Sequence, residues 1–494
     1  MSGSHRSLLW PFIALTILFG VSRAAFYTAG VRFNADTLNT FWQYLDPEVL
    51  RNHLIAGLYT LHSQPPLFNL FLGVTLKLFP QHYAAVFHIV FIALGYALCM
   101  LTYGLLRQLG AGRTLSFALS GIYAISPQFI LYENLLFYTM PLAVFVALCA
   151  MAYGRLLESF SRGWLMTLFV SAFALCATRS LFHPAFYIAI AAAAAWSLRA
   201  RWRTVAVYAA LPFVLLMGWN LKNYLLVGRF EASTWFGISF ATLMTNNVPI
   251  GERKRLVRDG ALSKLALIKP FSKLDEYPAK YRDTPGLEQY PWLHVPLKST
   301  GMRNFNNLAY IRISEMYGRD AFTLLLRRPD VYARSVALAW IAWCEPPTRI
   351  DWLFDSNVRR LGSYYDYFER YVFGRLKAAT ATEHTTVHYY AFLIIGLSLT
   401  LLAAIVMAAR RLGDADPAIR RRAAHALFLA FIIIYVGAVS NFLVLWENNR
   451  FRFKTDALQL ALAGYIIHNI WLRARPARRQ SARRACRHDS ASGS

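Results

Sequence analysis

The chain is poor in cysteine, with only five in 494 residues. Cys99, Cys149 and Cys176 fall in apolar runs, Cys344 follows another apolar stretch, and Cys486 lies in a basic C-terminal tail. No Cys-x-x-Cys or similar metal-ligand spacing occurs among them. The sequence therefore argues against a fold held by a disulfide framework.

Charge is also scarce, and acids are scarcer than bases. Charged residues make up 16% of the chain, against about 25% in an ordinary soluble protein. The 52 Lys and Arg outnumber the 26 Asp and Glu, giving a formal net charge of +26. Nucleic acid would suit that balance, but an excess of Lys and Arg is also typical of cytoplasmic loops beside membrane spans.

Apolar runs such as 85–106 and 388–409 are long enough to cross a hydrocarbon core about 30 Å thick. The sequence therefore predicts an all-α polytopic membrane protein.

About ten transmembrane helices are predicted, with both termini in the cytoplasm. They cover residues 8–27, 84–106, 114–131, 138–154, 164–179, 184–198, 204–225, 388–409, 424–446 and 454–472. The first is interpreted as a retained helix because no small-residue cleavage site follows it. This arrangement places the basic clusters of the chain on one side of the membrane, as the positive-inside rule requires. Those clusters are Arg107 with Arg113, Arg155 with Arg162, Arg199 with Arg201 and Arg203, Arg410 with Arg411 and Arg420–Arg422, and the seven arginines after Trp471.

The domain organisation follows from these spans. Residues 67–79 are apolar but too short to cross comfortably, so we interpret them as an interfacial or re-entrant piece of a first outer loop. We expect residues 226–387 to form a compact, mostly helical domain on the same outer side. The sequence shows no internal repeat and, apart from its two ends, no low-complexity linker. The predicted units are a transmembrane module at 1–225 with the outer loop 28–83, the outer domain 226–387, helices at 388–472 and a basic cytoplasmic tail at 473–494.

Ionisable residues on the outer side are not explained by topology, and such groups at a membrane rim tend to be functional. Asp36 follows the first span, which ends near Arg23, and is a candidate general base or metal ligand; the alternative is a helix N-cap. Glu133 is the only charge in a short loop after the third span. A carboxylate buried there needs a partner, which is a cation, a metal ion or a substrate hydroxyl. His62 is a candidate ligand or a structural donor, close to Gln64.

Two basic sets lie where the positive-inside rule leaves few cations. One is Arg179 with His183, and the other is the segment Glu447–Lys454, in which Arg450 and Arg452 share one face if the backbone is extended. Because arginine forms bidentate hydrogen bonds with phosphate oxygens, a phosphate at the outer membrane surface is the natural ligand. The alternative is that these arginines snorkel to lipid headgroups.

The order of these features resembles the GT-C glycosyltransferases, polytopic enzymes that use polyprenyl-phosphate sugars. The features are Asp36 after the first span, Pro65-Pro66-Leu67 in the outer loop, Glu133, Arg179 and the late Glu-x-x-Arg-x-Arg of residues 447–452. The chain is most similar to protein O-mannosyltransferases, to the aminoarabinose transferases of lipid A and to transferases that decorate lipopolysaccharide. The resemblance covers residues 8–250 and 388–470.

The resemblance implies a role for each matching residue. Asp36 and Glu133 would be the catalytic acids, and Arg179, Arg450 and Arg452 would bind the donor phosphate. Arg23, His62, Gln64, His183 and Glu447 would contact substrate. In some relatives the second acid helps to bind a divalent metal, which leaves open whether Mg²⁺ or Mn²⁺ takes part. One departure is that Gln64 stands where the family's His-Pro-Pro-Leu has histidine.

The resulting hypothesis is an inverting transfer of a sugar from a polyprenyl-phosphate carrier to an acceptor hydroxyl outside the cytoplasm. The acceptor is a glycolipid, a polysaccharide or a protein. The rival enzyme is a lipid-linked glycan ligase or polymerase, whose donor carries a pyrophosphate. A transporter or flippase is disfavoured because the sequence has no inverted repeat and no pair of Gly/Pro-broken spans. A non-catalytic assembly scaffold is the remaining alternative.

Overall fold

The fold is almost entirely helical, as predicted. The computed structural model describes residues 2–348, 353, 355–381 and 386–472, except for the side chains of residues 2–9 and 381. The basic tail predicted at 473–494 lies outside the described residues. Within the described part, strands occur only as one antiparallel hairpin late in the chain.

Twenty-two α-helices and two strands are numbered here in chain order. The first eleven helices are α1 Ser2–Thr28, α2 Thr37–Thr40, α3 Pro47–Asn52, α4 Leu54–Thr60, α5 Leu67–Leu78, α6 Tyr83–Gln108, α7 Arg113–Ile125, α8 Pro127–Glu133, α9 Thr139–Glu158, α10 Arg162–Thr178 and α11 Pro184–Ser197. The others are α12 Trp202–Val227, α13 Phe236–Leu243, α14 Ile250–Arg258, α15 Ala279–Arg282, α16 Ala309–Arg327, α17 Pro329–Trp343, α18 Asp355–Tyr367, α19 Ala391–Arg411, α20 Pro417–Leu443, α21 Asn448–Phe453 and α22 at 456–472, with β1 Arg375–Ala381 and β2 Thr386–Tyr390 before α19.

Six of the described helices are long and apolar enough to cross a membrane, and a bent pair would make a seventh, so ten spans are not confirmed. The six are Trp10–Thr28, Tyr83–Gln108, Thr139–Glu158, Arg199–Val227, Ala391–Arg411 and Pro417–Leu443. The spans predicted at 164–179 and 184–198 are real helices, α10 and α11, but they have only 17 and 14 residues. The helix predicted at 454–472 begins at residue 456 and reaches the end of the described chain.

The span predicted at 114–131 is broken. Helices α7 and α8 meet at an angle of 58°, because Pro127 disfavours helical dihedrals at the preceding Ser126, whose ψ is 149°. All seven residues of α8 are buried. Proline thus turns the chain inward and places Glu133, the last residue of α8, inside the helix bundle.

Helix α9 is the central helix of the bundle. It packs against α6, α10 and α20, and most of its residues are buried. Its N-cap is Tyr138 and its last residue is Glu158, so its two ends lie about 30 Å apart. Glu158 lines a small pocket together with Arg107, Arg421 and Arg422. Arg155 pairs with Glu158 at 3.1 Å, so arginines from three of the sequence's basic clusters lie near this end of α9.

The region after α12 forms a helical unit with two apolar clusters of its own. Helices α13 and α16 cross closely at Gly237, where a Cβ atom would overlap the backbone of Ser314 and Gly318. We call residues 229–343 the outer unit, after the side of the membrane predicted for them. Helix α17 packs against α20 and α21, which joins the outer unit to the apolar helices.

Residues 355–390 do not belong to those two clusters. Helix α18 packs on α8, and Tyr364 donates a hydrogen bond to the carbonyl of Ile125 at 2.7 Å. Asn357 exchanges hydrogen bonds with the backbone of Arg32. The hairpin then leads into α19 at Ala391, three residues later than predicted. The described residues of the predicted domain at 226–387 thus comprise the outer unit and a segment that packs on the C-terminal end of α1 and on α8.

Candidate functional site

Two arginines flank Tyr138 at the N-terminal end of α9, and a lysine lies near both arginines. The guanidinium carbons of Arg179 and Arg450 lie 5.3 Å and 5.5 Å from the centre of the Tyr138 ring. Lys454 is close enough to both arginines, and to Glu447, to interact with them electrostatically. Glu447 forms an ion pair with Arg450. Two guanidinium groups and one buried amine against one acid make this end of the bundle attractive to an anion.

Lys454 is the most unusual member of this group. The residue is 0% exposed, and its Nζ makes no hydrogen bond with any described residue. Its ammonium lies 4.2 Å from the centre of the Phe451 ring. A buried cation without a hydrogen-bonded partner is costly. Such a group is expected where a ligand supplies the missing negative charge.

The segment 448–453 is a helix, α21, and is not extended. Residues two apart on a helix point in different directions, so Arg450 and Arg452 do not share a face. Arg452 donates to Asp456 at 3.1 Å and to the carbonyl of Trp343 at 2.8 Å. Arg452 therefore fastens α21 to α17 and α22, while Arg450 faces Tyr138 and Arg179.

A cavity of about 480 Å³ opens beside this cationic group. Its polar lining includes Arg179, Gln64, His183 and Glu231, and its remaining walls are mostly apolar. The apolar walls come from Leu181, Phe230, Tyr435, Val439, Leu443 and Phe451. The cavity thus has the Arg179 guanidinium at one point and mostly apolar walls elsewhere. An amphipathic anion requires such a lining.

A second apolar cavity of about 390 Å³ adjoins the first, and Ala232 lines both. Its walls include Phe173 of α10 and Val214, Leu215 and Trp219 of α12. Val214 and Leu215 are 62% and 54% exposed, so this cavity opens on the apolar outer face of α12. A hydrocarbon chain lying in this cavity would therefore be separated from the first cavity only by residues such as Ala232.

Gln64 and His183 hold the rim of the first cavity. Gln64 is buried, and its Oε1 accepts a hydrogen bond of 2.8 Å from Arg179, which fixes the direction of that guanidinium. His183 caps α11, where its Nδ1 accepts from the Ala185 amide at 3.2 Å. Its own amide donates to the hydroxyl of Tyr435 at 3.1 Å. The structure therefore brings Gln64, Arg179 and His183 together at one cavity. Their roles in binding substrate stay a prediction.

His62 lies elsewhere and has a structural position. It is 0% exposed, and its ring nitrogens pair with Thr234 Oγ1 and the Asn306 carbonyl, both at 2.9 Å. These bonds tie the first outer loop to the outer unit. Burial, opposed in part by the Asn306 hydrogen bond, lowers the pKa of His62 from 6.5 to about 4, so the imidazole is neutral at pH 7.

The stability of the protein is expected to fall as the pH drops from 6.5 towards 4. His62 must bind a proton more readily in the unfolded chain than in the folded one, so its contribution is complete above pH 6.5 and is lost below it. The depression of its pKa to about 4 corresponds to about 3 kcal/mol. Thermal unfolding of wild type and His62→Gln between pH 4 and pH 7 checks this. The variant should have a shallower slope, and the exposed control His82→Gln should keep the wild-type slope; an unchanged slope in His62→Gln would refute the assignment.

Glu133 is paired with a cation, one of the three partners expected for it. Arg23 donates from Nε to Oε1 at 2.8 Å and from Nη2 to Oε2 at 2.6 Å. The Glu133 side chain is 1% exposed and that of Arg23 is 12% exposed. A Cβ atom at Gly95 would overlap the carboxylate, so α6 passes very close to the pair. Both carboxylate oxygens are thus already engaged, and neither residue lines the cationic cavity.

Replacing Glu133 by glutamine is expected to cost about 3–5 kcal/mol of stability, because it leaves the Arg23 charge largely buried without its counter-charge. Replacing both residues, Arg23→Met with Glu133→Gln, should recover much of that loss. Chemical denaturation in detergent measures both. Arg155 and Glu158 form an exposed pair at 3.1 Å, so Glu158→Gln is a matched control with an expected effect below about 1 kcal/mol. Equal losses at the two sites would contradict the buried-pair interpretation.

Asp36 lies on the surface near the same end of the bundle. It occupies the N-cap position of α2, but its side chain does not cap the helix. Two residues earlier, Asn34 pairs with the backbone of Asn134 and Leu136 at 2.8 Å and 3.0 Å, which brings this loop beside the segment leading to Tyr138. Asp36 is not among the residues that line the cationic cavity. Its role as a general base stays a prediction.

A metal ion does not fit the acids that the sequence singled out. The oxygens of Glu133 are held by Arg23. Among the described residues no group of three His, Cys, Asp or Glu is arranged to hold a metal. We therefore derive no step that requires Mg²⁺ or Mn²⁺.

Sequence reasoning missed two residues at the site. Tyr138, which both arginines flank, looked like an ordinary aromatic residue at the start of a span. Lys454 stood in the basic segment 447–454, and its signal was a cation directly before an apolar helix.

Comparisons with protein-family models, with curated proteins and with solved structures find no match for this chain.

Proposed function

We propose that this chain is a membrane glycosyltransferase that moves a sugar from a polyprenyl-phosphate donor to a hydroxyl outside the cytoplasm. The observation that carries the proposal is Arg179 in the wall of a mostly apolar cavity, with the fully buried Arg450 and Lys454 close behind it. A lipid monophosphate has the matching parts, which are one compact anion and a long hydrocarbon chain. The neighbouring 390 Å³ cavity supplies space for the start of that chain.

The chemistry expected of this group is electrostatic. When the bond between the anomeric carbon and the phosphate oxygen breaks, negative charge grows on the phosphate. Cations already fixed in position stabilise that charge without reorganising, and the nearby apolar walls exclude water that would screen it. Arg179 is held in position by Gln64, and Arg450 by Glu447. Attack by the acceptor hydroxyl from the opposite face would invert the anomeric centre.

The sidedness of the site supports an extracytoplasmic reaction. Tyr138 and its cations lie at one end of α9, and the pocket with Arg107, Arg421 and Arg422 lies at the other. If the larger set of basic clusters faces the cytoplasm, as the positive-inside rule favours, the cavity faces the periplasm or exterior. Reporter fusions at the loops on either side of α9 test this orientation.

A donor assay tests the function. The full-length protein in lipid nanodiscs is given undecaprenyl monophosphate carrying radiolabelled glucose, mannose or aminoarabinose, and sugar release or transfer is measured. Activity with one monophosphate sugar supports the proposal. Activity only with pyrophosphate-linked glycans would assign the rival ligase or polymerase. Inactivity with both, together with movement of intact lipid across the bilayer, would assign a flippase and remove the enzyme.

A further inference from the structure

The cationic cavity adjoins a third cavity, which belongs to the outer unit. This cavity has a volume of about 630 Å³ and is lined by residues of α13, α16 and the loop before α13. Its lining includes Arg229, Glu315, Arg319 and Thr323, so it is much more polar than the first. Two residues line both cavities, Glu231 and Phe236. The space that suits a lipid phosphate and the space that suits a polar molecule therefore meet at one carboxylate.

The backbone around Glu231 is held firmly. Helix α12 ends at Gly228, whose left-handed φ of 72° lets the chain turn away from the membrane helices. The carbonyl of Glu231 then accepts a hydrogen bond of 2.6 Å from Asn223, and the carbonyl of Ala232 accepts one of 3.2 Å from Trp219. Ser233 donates to the carbonyl of Ser63 at 2.6 Å. These bonds on both sides of the loop fix the position from which the Glu231 side chain projects.

The carboxylate of Glu231 is available for chemistry. Glu315, the other acid that lines the polar cavity, is paired with Arg229. Glu231 makes no side-chain hydrogen bond or ion pair with the described residues. Partial burial raises its pKa above the ordinary value, and the charge of Arg229 offsets part of that rise. A carboxylate with a raised pKa is a stronger base than a free one once it is ionised.

The polar cavity has the mixed lining that a glycan would use. Phe236 and Phe322 are 44% and 48% exposed, and their apolar faces suit the C–H face of a sugar ring. Arg319 provides donors along the same wall, and the Thr323 hydroxyl, which donates to the Arg319 carbonyl at 2.9 Å, provides an acceptor. A hydroxyl of a molecule bound there would point towards the junction with the lipid-phosphate cavity.

We infer that Glu231 is the general base of the reaction, which accepts the proton of an acceptor hydroxyl that enters from the polar cavity. The inference rests on the proposed glycosyltransferase function. As the acceptor oxygen bonds to the anomeric carbon, the bond from that carbon to the carrier phosphate breaks. The proton passes to Glu231 and the electron pair leaves with the phosphate, beside Arg179. The products are the glycosylated acceptor, the protonated acid and the free polyprenyl phosphate.

The test compares Glu231→Gln with Asp36→Asn in the same assay, using water as the acceptor so that the natural acceptor need not be known. The probe is the undecaprenyl monophosphate sugar that wild type hydrolyses, and the second readout is the Kd for undecaprenyl phosphate. Glu231→Gln should slow sugar release by about 100-fold or more and leave the Kd within about twofold. Glu231→Asp should retain part of the rate. Glu288→Gln, an exposed acid of the outer unit, should match wild type.

The pH profile separates a base from a structural residue. Wild-type activity should rise with pH as the carboxylate ionises, and Glu231→Gln should lose that rise. A Glu231→Gln enzyme with the wild-type rate and pH profile overturns the inference and leaves the function standing, the more so if Asp36→Asn is inactive. A wild-type protein that releases sugar from no monophosphate carrier overturns the function as well.

Discussion

Replacing Arg179 by glutamine is expected to lower the rate of sugar transfer by about 100- to 1000-fold. Arg179 lines the cavity and is directed by Gln64, so its guanidinium is fixed where the departing phosphate gains charge. Removing one such preorganised donor typically costs this much in rate. Glutamine keeps a polar side chain of moderate length but carries no charge. Initial rates from the monophosphate donor measure the effect, with Kd for undecaprenyl phosphate recorded beside them.

Two matched variants make this result specific. Arg179→Lys keeps the charge but loses the planar fork, so it should recover only part of the activity. Arg258→Gln removes an exposed arginine at the end of α14 and should change the rate less than twofold. An Arg179→Gln protein that binds and transfers like wild type would remove the phosphate site from the proposal. Loss of the folded protein instead of activity would be visible as a lowered unfolding temperature.

Much of the fold was predictable because apolar helices have strong local signals. The long runs at 85–106 and 388–409 correspond closely to α6 and α19. The shorter helices α10 and α11 show where apolar composition stops being a sufficient guide. Their composition is apolar, but 17 and 14 residues fall below the length of about 20 that spans a bilayer comfortably. Composition alone does not tell whether such helices cross the membrane or pack inside a bundle.

The partner of Glu133 illustrates what physical chemistry predicts without coordinates. The cost of burying a carboxylate required a cation, a metal or a hydroxyl nearby, and the cation proved to be Arg23. Which of the three it would be was not predictable, because the two residues are 110 positions apart. The pairing depends on the bend at Pro127, which turns α8 towards α1.

The orientation of Arg450 and Arg452 was not predictable for a different reason. Six residues between two apolar helices are too few to show either a 3.6-residue or a two-residue period. As a helix, α21 directs Arg450 to Tyr138 and Arg452 to Trp343. The cavity itself depends on contacts among segments near residues 64, 179, 231, 435 and 451, which no local pattern relates. Glu231 gave no signal at all, since it lies in an irregular loop.

Lys454→Met is expected to change stability and ligand binding in opposite directions. Lys454 is fully buried, and its Nζ has no hydrogen bond with a described residue. The positive charges of Arg450 and Arg179 also repel a charge on Lys454. Methionine has a similar length and no charge, so the folded protein should gain about 1–4 kcal/mol. Lys454 lies against Phe451, which lines the cavity. A unit charge about 6–12 Å away contributes about 1.4–2.8 kcal/mol at an effective dielectric constant of about 20, so affinity for undecaprenyl phosphate should fall about 10- to 100-fold.

The opposite signs are what make this variant informative. If Lys454 serves only packing, Lys454→Met should be no more stable than wild type and should bind undecaprenyl phosphate equally well. If Lys454 serves to bind an anion, it destabilises the unliganded protein and strengthens binding of the ligand. Chemical denaturation with and without undecaprenyl phosphate measures both quantities on one sample. The ligand should stabilise wild type more than Lys454→Met. Lys254→Met, at an exposed position of α14, should leave both curves unchanged. If Lys454→Met lowers stability and keeps the wild-type response to ligand, Lys454 is a structural residue and the cationic site reduces to its two arginines.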